Sequence, residues 1–228
     1  RSSRRPRTPP RIANYKLTRL LRPHVLETTT LLLGEPPATQ YDLHFEVAGV
    51  PVRVHPFFWL IGVFLGRNSP ALELLIFVVA VFISILVHEL GHSMMMRRFG
   101  MSSHIVLHMM GGLAIPDSMG RGVNTRQWIL IAFAGPAAGF VLAGMIVLLI
   151  LATGGTFKIQ LSTFPVFWDH TLNLPPADKL TEIIHVFISV MLFINIFWGL
   201  INLFPVYPLD GGQIARHVLT EVDPWQGV

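Results

Sequence analysis

Cysteine is absent from the 228 residues, and charge is scarce: Asp, Glu, Lys and Arg make up 13% of the chain against 52% hydrophobic residues. The first absence excludes disulfides and thiolate metal sites, leaves histidine, aspartate and glutamate as metal ligands, and says nothing about redox compartment. The second excludes an ordinary soluble domain, in which about a quarter of residues are charged. A pI near 10 raises nucleic acid as a partner. However, nine of the seventeen Lys and Arg lie in the first 53 residues, not on one folded surface. They read as a membrane-flanking signal, so the expected partner is a lipid bilayer and not nucleic acid.

What is present is a basic front end followed by apolar segments. Residues 1–39 open with RSSRRPRTPPR, a proline-rich arm expected to be disordered in part; with no apolar run directly after it, it is not a signal peptide. Residues 40–54 alternate apolar and polar positions on both sides of Ala48-Gly49, which predicts a β-hairpin. Residues 55–217 form the membrane core. Its first segment, FFWLIGVFLG, reaches only about 15 Å as a helix, short of a hydrocarbon layer of about 30 Å. The runs ALELLIFVVAVFISILVHELGHSMMM, WILIAFAGPAAGFVLAGMIVLLILAT and EIIHVFISVMLFINIFWGLINLF are long enough to span. In the middle one, Gly135, Pro136, Ala137, Ala138 and Gly139 permit close helix approach in lipid. The expected fold is an all-α polytopic integral membrane protein with about four membrane segments and a short β-hairpin or strand element near the membrane surface. Residues 218–228 are expected to be a truncated tail. Arg97, Arg98, Arg121 and Arg126 fall between the second and third segments, whereas Lys158 and Lys179 in the next loop are offset by acids. The positive-inside rule then places the N-terminus in the cytoplasm.

The stretch ILVHELGHSM, residues 85–94, ends an apolar run with three ionisable side chains, which are costly at bilayer depth and mark function there more often than packing. In a helix, His88 and His92 lie on one face with Cβ atoms about 5–6 Å apart, a spacing from which two imidazoles reach one zinc at about 2.0–2.1 Å. Glu89 sits one position round, outside the chelate and near enough to take a proton from an activated water, as in an H-E-x-x-H peptidase site. A catalytic zinc commonly takes a third protein ligand. Asp210 is the candidate: Pro205 and Pro208 end regular helix before it, and Gly211-Gly212 after it allow positive φ and close approach. The plain alternative is an Asp-Gly surface turn.

At these two motifs the chain resembles the site-2 protease family of intramembrane zinc metalloproteases. HELGH near the end of one span and NLFPVYPLDGG more than a hundred residues later come in the family's order, with VPVRVHP, MGGLA and AGP between and around them. The resemblance covers roughly residues 50–217. It implies an endopeptidase that cuts single-span membrane proteins, one zinc ion per chain held by His88, His92 and Asp210, Glu89 as general base, and Asn202 hydrogen-bonded to the substrate or the developing oxyanion. An interhelical hydrogen bond is the bland account of Asn202.

A helical substrate hides its carbonyls, so cleavage needs an extended backbone. The partial alternation of HIVLHMMGGLAIP, residues 104–116, is consistent with a strand edge that pairs with an unwound substrate, and Gly111, Gly112 and Leu113 are the expected contacts. His104 and His108 read as loop residues, Met94 to Met96 as packing or interfacial side chains, and Glu73 as an interfacial charge. Two rivals stand beside the protease: an inactive homologue that binds or scaffolds, and a metal transporter, which would repeat polar residues along several spans. Substrate identity and oligomeric state stay open.

Overall fold

Three helices carry the chain back and forth, and one small mixed sheet is wedged against the longest stretch of them. The computed structural model describes residues 34–65, 70–118, 123–160, 167–171 and 179–222; the basic arm up to residue 33 and the final residues 223–228 lie outside this description. Helix α1 is the short segment Pro56–Leu65, followed by α2 (Ala71–Arg98) and α3 (Thr125–Ala152). Helix α4 (Lys179–Phe193) runs on through a π-helical turn, Ile194–Trp198, into α5 (Gly199–Asn202). The spans Ala71–Arg98, Thr125–Ala152 and Lys179–Asn202 are long and apolar enough to cross a membrane. The protein is an integral membrane protein, and α1, with ten residues, accounts for the fourth, short segment.

Local signals explain the helix ends. Glu73 lies in the first turn of α2 and Arg97 and Arg98 in its last, each matching the sign of the nearer end of the helix dipole. Asn124 and Gln127 close α3 with a reciprocal capping box.

The expected hairpin forms half of a larger sheet. Strands β1 (Leu43–Val47) and β2 (Val50–Val54) pair across Ala48 and Gly49, whose φ values of 53° and 77° suit a two-residue turn. Strands β3 (Ser103–His108) and β4 (Gly111–Pro116) complete the order β1-β2-β3-β4, with β2 parallel to β3 and the other neighbours antiparallel. Because β2 precedes α1 and β3 follows α2, the chain leaves the sheet and returns to it. The hairpin and residues 103–116 therefore share one side of the protein. Alternation decides which face is buried: Val50, Val52, Val54, Ile105 and Leu107 pack with Phe58 against Phe82, Ile85, Leu86 and Leu90 of α2. Beyond α3, β5 (Thr156–Gln160) and β6 (Phe167–Thr171) form a separate hairpin.

Between helices in lipid, close approach and polar links replace the hydrophobic drive. A Cβ on Gly91 would stand 2.4 Å from the carbonyl oxygen of Ala134 and 2.8 Å from the Ala138 Cβ, so α2 and α3 touch through small residues. Asn195, in the π-helical turn, donates to Ser84 Oγ at 2.9 Å and to the Met191 carbonyl at 2.8 Å, tying α2 to the third span.

Outside the spans, Arg53 on β2 donates to Asp42 Oδ2 at 2.9 Å. Burial alone would raise the Asp42 carboxyl, but hydrogen bonds from Thr39 and Arg53 outweigh it and bring the pKa down from 3.8 to about 2. The ionised form is thus favoured by folding. Its contribution is fully present above pH 3.8 and is lost as pH falls through about 2. Asp42→Asn is expected to remove this component, lowering the apparent unfolding midpoint in detergent by several degrees at pH 7 and flattening its decline between roughly pH 4 and pH 2. A thermal scan of both proteins across that range checks it.

Candidate metal centre

Helix α2 shows different side chains to two neighbours, and the H-E-x-x-H spacing divides them. His88 and His92, one turn apart with ring centroids 4.9 Å from each other, face α3 and the start of α6 (Asp210–Val222). His92 donates from Nδ1 to the carbonyl of Ile131 at 2.7 Å, which leaves its Nε2 with a free lone pair. That Nε2 lies 3.2 Å from His88 Nε2 and 3.4 Å from Asp210 Oδ1, and His88 Nε2 lies 3.1 Å from Asp210 Oδ2. Two ligands about 2.0–2.1 Å from a tetrahedral zinc are separated by about 3.3 Å. The edge between the two imidazoles matches this separation, each imidazole lies at the same range from a different oxygen of Asp210, and the His₂Asp donor set suits zinc.

Asp210 is the first residue of α6, so Gly211 and Gly212, expected in a turn, are helical. Gly211 and Gly212 are not among the glycines with positive φ, which in the described residues are Gly49, Gly100, Gly111 and Gly154. Their helical dihedrals follow from the helix starting at Asp210. The close approach is real: a Cβ on Gly211 would meet the Leu203 carbonyl oxygen at 2.1 Å, and one on Gly212 the Tyr207 nitrogen at 2.5 Å. Further along α6, His217 stacks on Trp128 of α3 with centroids 5.9 Å apart.

Gly135 of α3 sits directly behind the imidazoles. A Cβ there would fall 2.2 Å from His92 Nε2 and 2.8 Å from His88 Nε2. The sequence reading valued this glycine for helix packing and missed its place at the metal centre; a glycine before the in-span Pro136 was the available signal. The Ile131 carbonyl carries no sequence signal, since any residue has one.

Glu89 turns toward the sheet. It is buried beside Gly112 of β4, where a Cβ would lie 2.4 Å from Glu89 Cγ. Residues 104–116, expected to carry a substrate edge, divide between two strands of the sheet. Strand β3 is interior, and β4 ends the sheet. His55 N–H donates to the Leu107 carbonyl at 2.8 Å, so the Leu107 peptide groups point to β2. Its cross-strand partner Gly112 and, two residues on, Ala114 opposite Ile105 are then the non-hydrogen-bonded positions, with N–H and C=O directed away from β3. Gly111 and Leu113 pair their backbones with β3 instead, which alternation requires and composition alone does not reveal.

Asn202 is the last residue of α5, half-buried, one loop before Asp210. His104 and His108 lie in a strand, not a loop: His104 contacts Asp117, and His108 is buried near His55 and Arg53. Burial, reinforced by those two neighbours, holds His108 below the usual imidazole range. Met96 packs with Met101 and Ile131, while Met94 is exposed.

The sequence profile of Peptidase family M50 matches residues 76–225, which takes in both histidines, Glu89, Gly135 and Asp210. The chain belongs to peptidase family M50. Among M50-like relatives, a zinc metalloprotease of Methanocaldococcus jannaschii is 30% identical over 183 residues, covering 78% of this chain and 45% of that protein. A Synechocystis protein carrying a zinc-metalloprotease name is 30% identical over 190 residues, 76% of this chain and 43% of its own length. The chain thus spans less than half the length of these relatives. The solved site-2 protease from Methanocaldococcus jannaschii shares the fold of this M50 chain with a TM-score of 0.51 at 23% identity, over 79% of this chain and 73% of that one.

Proposed function

We propose that this chain is the catalytic core of an intramembrane zinc endopeptidase that hydrolyses peptide bonds of membrane-spanning proteins. The observation that carries the reading is the convergence of His88, His92 and Asp210, whose ligand atoms lie within 4.8 Å of one another, flanked by a carboxylate that takes no part in the group. Zinc bound there supplies a Lewis acid for the scissile carbonyl and acidifies the attacking water. His92, oriented by Ile131, and His88 and Asp210 hold it. Glu89 accepts the proton of the attacking water and delivers it to the leaving amine. Asn202 is assigned to the substrate backbone or the developing oxyanion.

The substrate is presented as a strand on β4. Gly112 and Ala114 offer their outward N–H and C=O groups to it, the mode of recognition that turns an unwound span into an extra strand. The loop after α2, which carries the arginines, is assigned to the cytoplasmic face by its charge. A metal transporter is disfavoured because, among the described residues, the ionisable groups converge on one three-ligand site with an adjacent base and form no path of such groups along the spans.

Proline scanning of β4 tests the presentation step. Ala114→Pro removes an N–H that β3 does not use, and proline is tolerated on an edge strand in that orientation. Cleavage of a single-span model substrate in proteoliposomes should fall at least about tenfold while zinc content is unchanged, the loss of one strand hydrogen bond together with register being about 1.5 kcal/mol or more. Unchanged cleavage by a folded Ala114→Pro protein would remove β4 as the docking edge.

A further inference from the structure

The groove between α2 and α3 holds two different polar groups, one turn apart. Ser84, His88 and His92 follow one another at four-residue intervals along α2 and share a face, and Gly135 and Gly139 do the same along α3. At one level the imidazoles stand over Gly135. At the next, Asn195 of the third span fills the groove: its Nδ2 donates to Ser84 Oγ at 2.9 Å and to the Met191 carbonyl at 2.8 Å, and a Cβ on Gly139 would lie 3.2 Å from its Oδ1. Asn195 is buried and belongs to the π-helical turn Ile194–Trp198. Such a turn holds one residue more than an α-helical one, so it decides which side of the span every later residue faces.

From that anchor the chain runs to Asp210 with little slack. A Cβ on Gly199, the first residue of α5, would stand 2.9 Å from Phe140 Cε1 of α3. After α5, the carbonyls of Leu203 and Phe204 lie against the start of α6, where a Cβ on Gly211 would meet their oxygens at 2.1 and 2.5 Å. Between them the Leu209 N–H donates to the Val206 carbonyl at 2.9 Å and closes the loop. A shift or rotation of the third span is therefore passed on to the first residue of α6.

We infer that Asn195 is a positioning residue for the metal centre: by seating the π-helical turn in the groove between α2 and α3 it sets where Asp210 arrives against His88 and His92. The inference rests on the three-ligand reading of that centre. The two histidines need no such help, because spacing along one helix places both. Asp210 comes from a distant segment, and between helices in lipid a polar link fixes the depth and rotation that hydrophobic burial leaves open. The methyl of Gly139→Ala would ask the Asn195 amide to yield by only a few tenths of an ångström, which hydrogen bonds of 2.8 and 2.9 Å tolerate. Loss of those bonds is what should reach the metal.

Zinc affinity of the full chain in detergent, measured by competition with a chromophoric chelator, tests this without any turnover. Asn195→Leu removes the donor with little change in shape; with circular dichroism unchanged, its zinc dissociation constant should rise at least about tenfold. The same substitution made in Asp210→Ala should change the affinity by less than about twofold, because a residue that acts only through Asp210 has nothing left to align. The visible ligand-field bands of cobalt(II)-loaded Asn195→Leu should match those of Asp210→Ala and differ from those of the unsubstituted chain, a change that lowered stability alone does not produce. Ser84→Ala deletes the acceptor on α2 while favouring the helix, and should raise the dissociation constant at least about threefold with the same dependence on Asp210. It carries the test where Asn195→Leu does not fold. Unchanged affinity in either folded variant overturns the inference, and so does an equal loss with and without Asp210, which would place the effect on the histidines or on the fold at large. An Asp210→Ala protein that binds zinc as tightly as the unsubstituted chain refutes the three-ligand centre itself, and the inference falls with it.

Discussion

Gly135→Ala is expected to empty the metal centre although the residue is neither a ligand nor charged. The added methyl would overlap His92 Nε2 at 2.2 Å and Cε1 at 2.4 Å, with His88 Nε2 at 2.8 Å. The atoms it strikes are the donors themselves, so relief by rotating either ring destroys the tetrahedral arrangement. Moving α3 away is no cheaper, because Gly91 already holds Ala134 and Ala138 in contact. Loss of a group that orients metal ligands costs about 10–100-fold in metal affinity, and direct displacement of two donors should exceed the upper end of that range. Helix propensity favours the substitution, so secondary structure should survive. Elemental analysis of purified protein, with circular dichroism alongside, gives the answer. Gly139→Ala is the matched control: its Cβ meets Asn195 Oδ1 at 3.2 Å and no metal ligand, so zinc should be retained. Stoichiometric zinc in a folded Gly135→Ala protein would show that the histidines do not bind metal in the arrangement described.

Glu89→Gln should give the opposite pattern, with zinc kept and hydrolysis lost. The side chain stays isosteric and buried against Gly112, so neither fold nor ligand geometry has reason to change. What disappears is the ability to take up and hand on a proton, worth about 10²–10⁴-fold for a positioned general base. The measurement is the single-turnover rate on a single-span substrate co-reconstituted in liposomes, with zinc determined on the same sample. Retained cleavage would remove Glu89 from the base's role. Loss of zinc would mean that Glu89 supports the metal and is not separate from it. An inactive homologue that only binds its partners would show no difference between the two proteins. The pair of variants therefore divides the site into a metal half facing α3 and a base half facing β4.

That division explains what could be read without coordinates. Periodicity and spacing suffice for neighbours along one helix: H-E-x-x-H puts His88 and His92 on a shared face and Glu89 on another whatever surrounds them. Apolar length alone delimits the three spans, and alternation about Ala48-Gly49 delimits the first hairpin, because both periods are local properties of the backbone. The proline and glycine pattern around Asp210 correctly marked a close approach. It misjudged the conformation, since a helix start and a turn use the same residues and only the packing of α6 against α3 selects between them.

Everything that depends on two distant segments meeting was decided by tertiary structure. The parallel pairing of β2 with β3 joins strands separated by α1 and α2, and it is this pairing that turns Leu107 toward β2 and leaves Gly112 and Ala114, not Gly111 and Leu113, on the free edge. Gly135 became part of the metal centre only when α3 was laid against α2. Asn195, the polar link between spans, is one apolar-segment asparagine among others until Ser84 stands opposite it. Residue types along the chain thus determined which side chains are able to hold metal or move protons, because those are intrinsic chemical capacities. The fold decided where each capacity points, because direction is set by contacts between segments that the chain order keeps far apart.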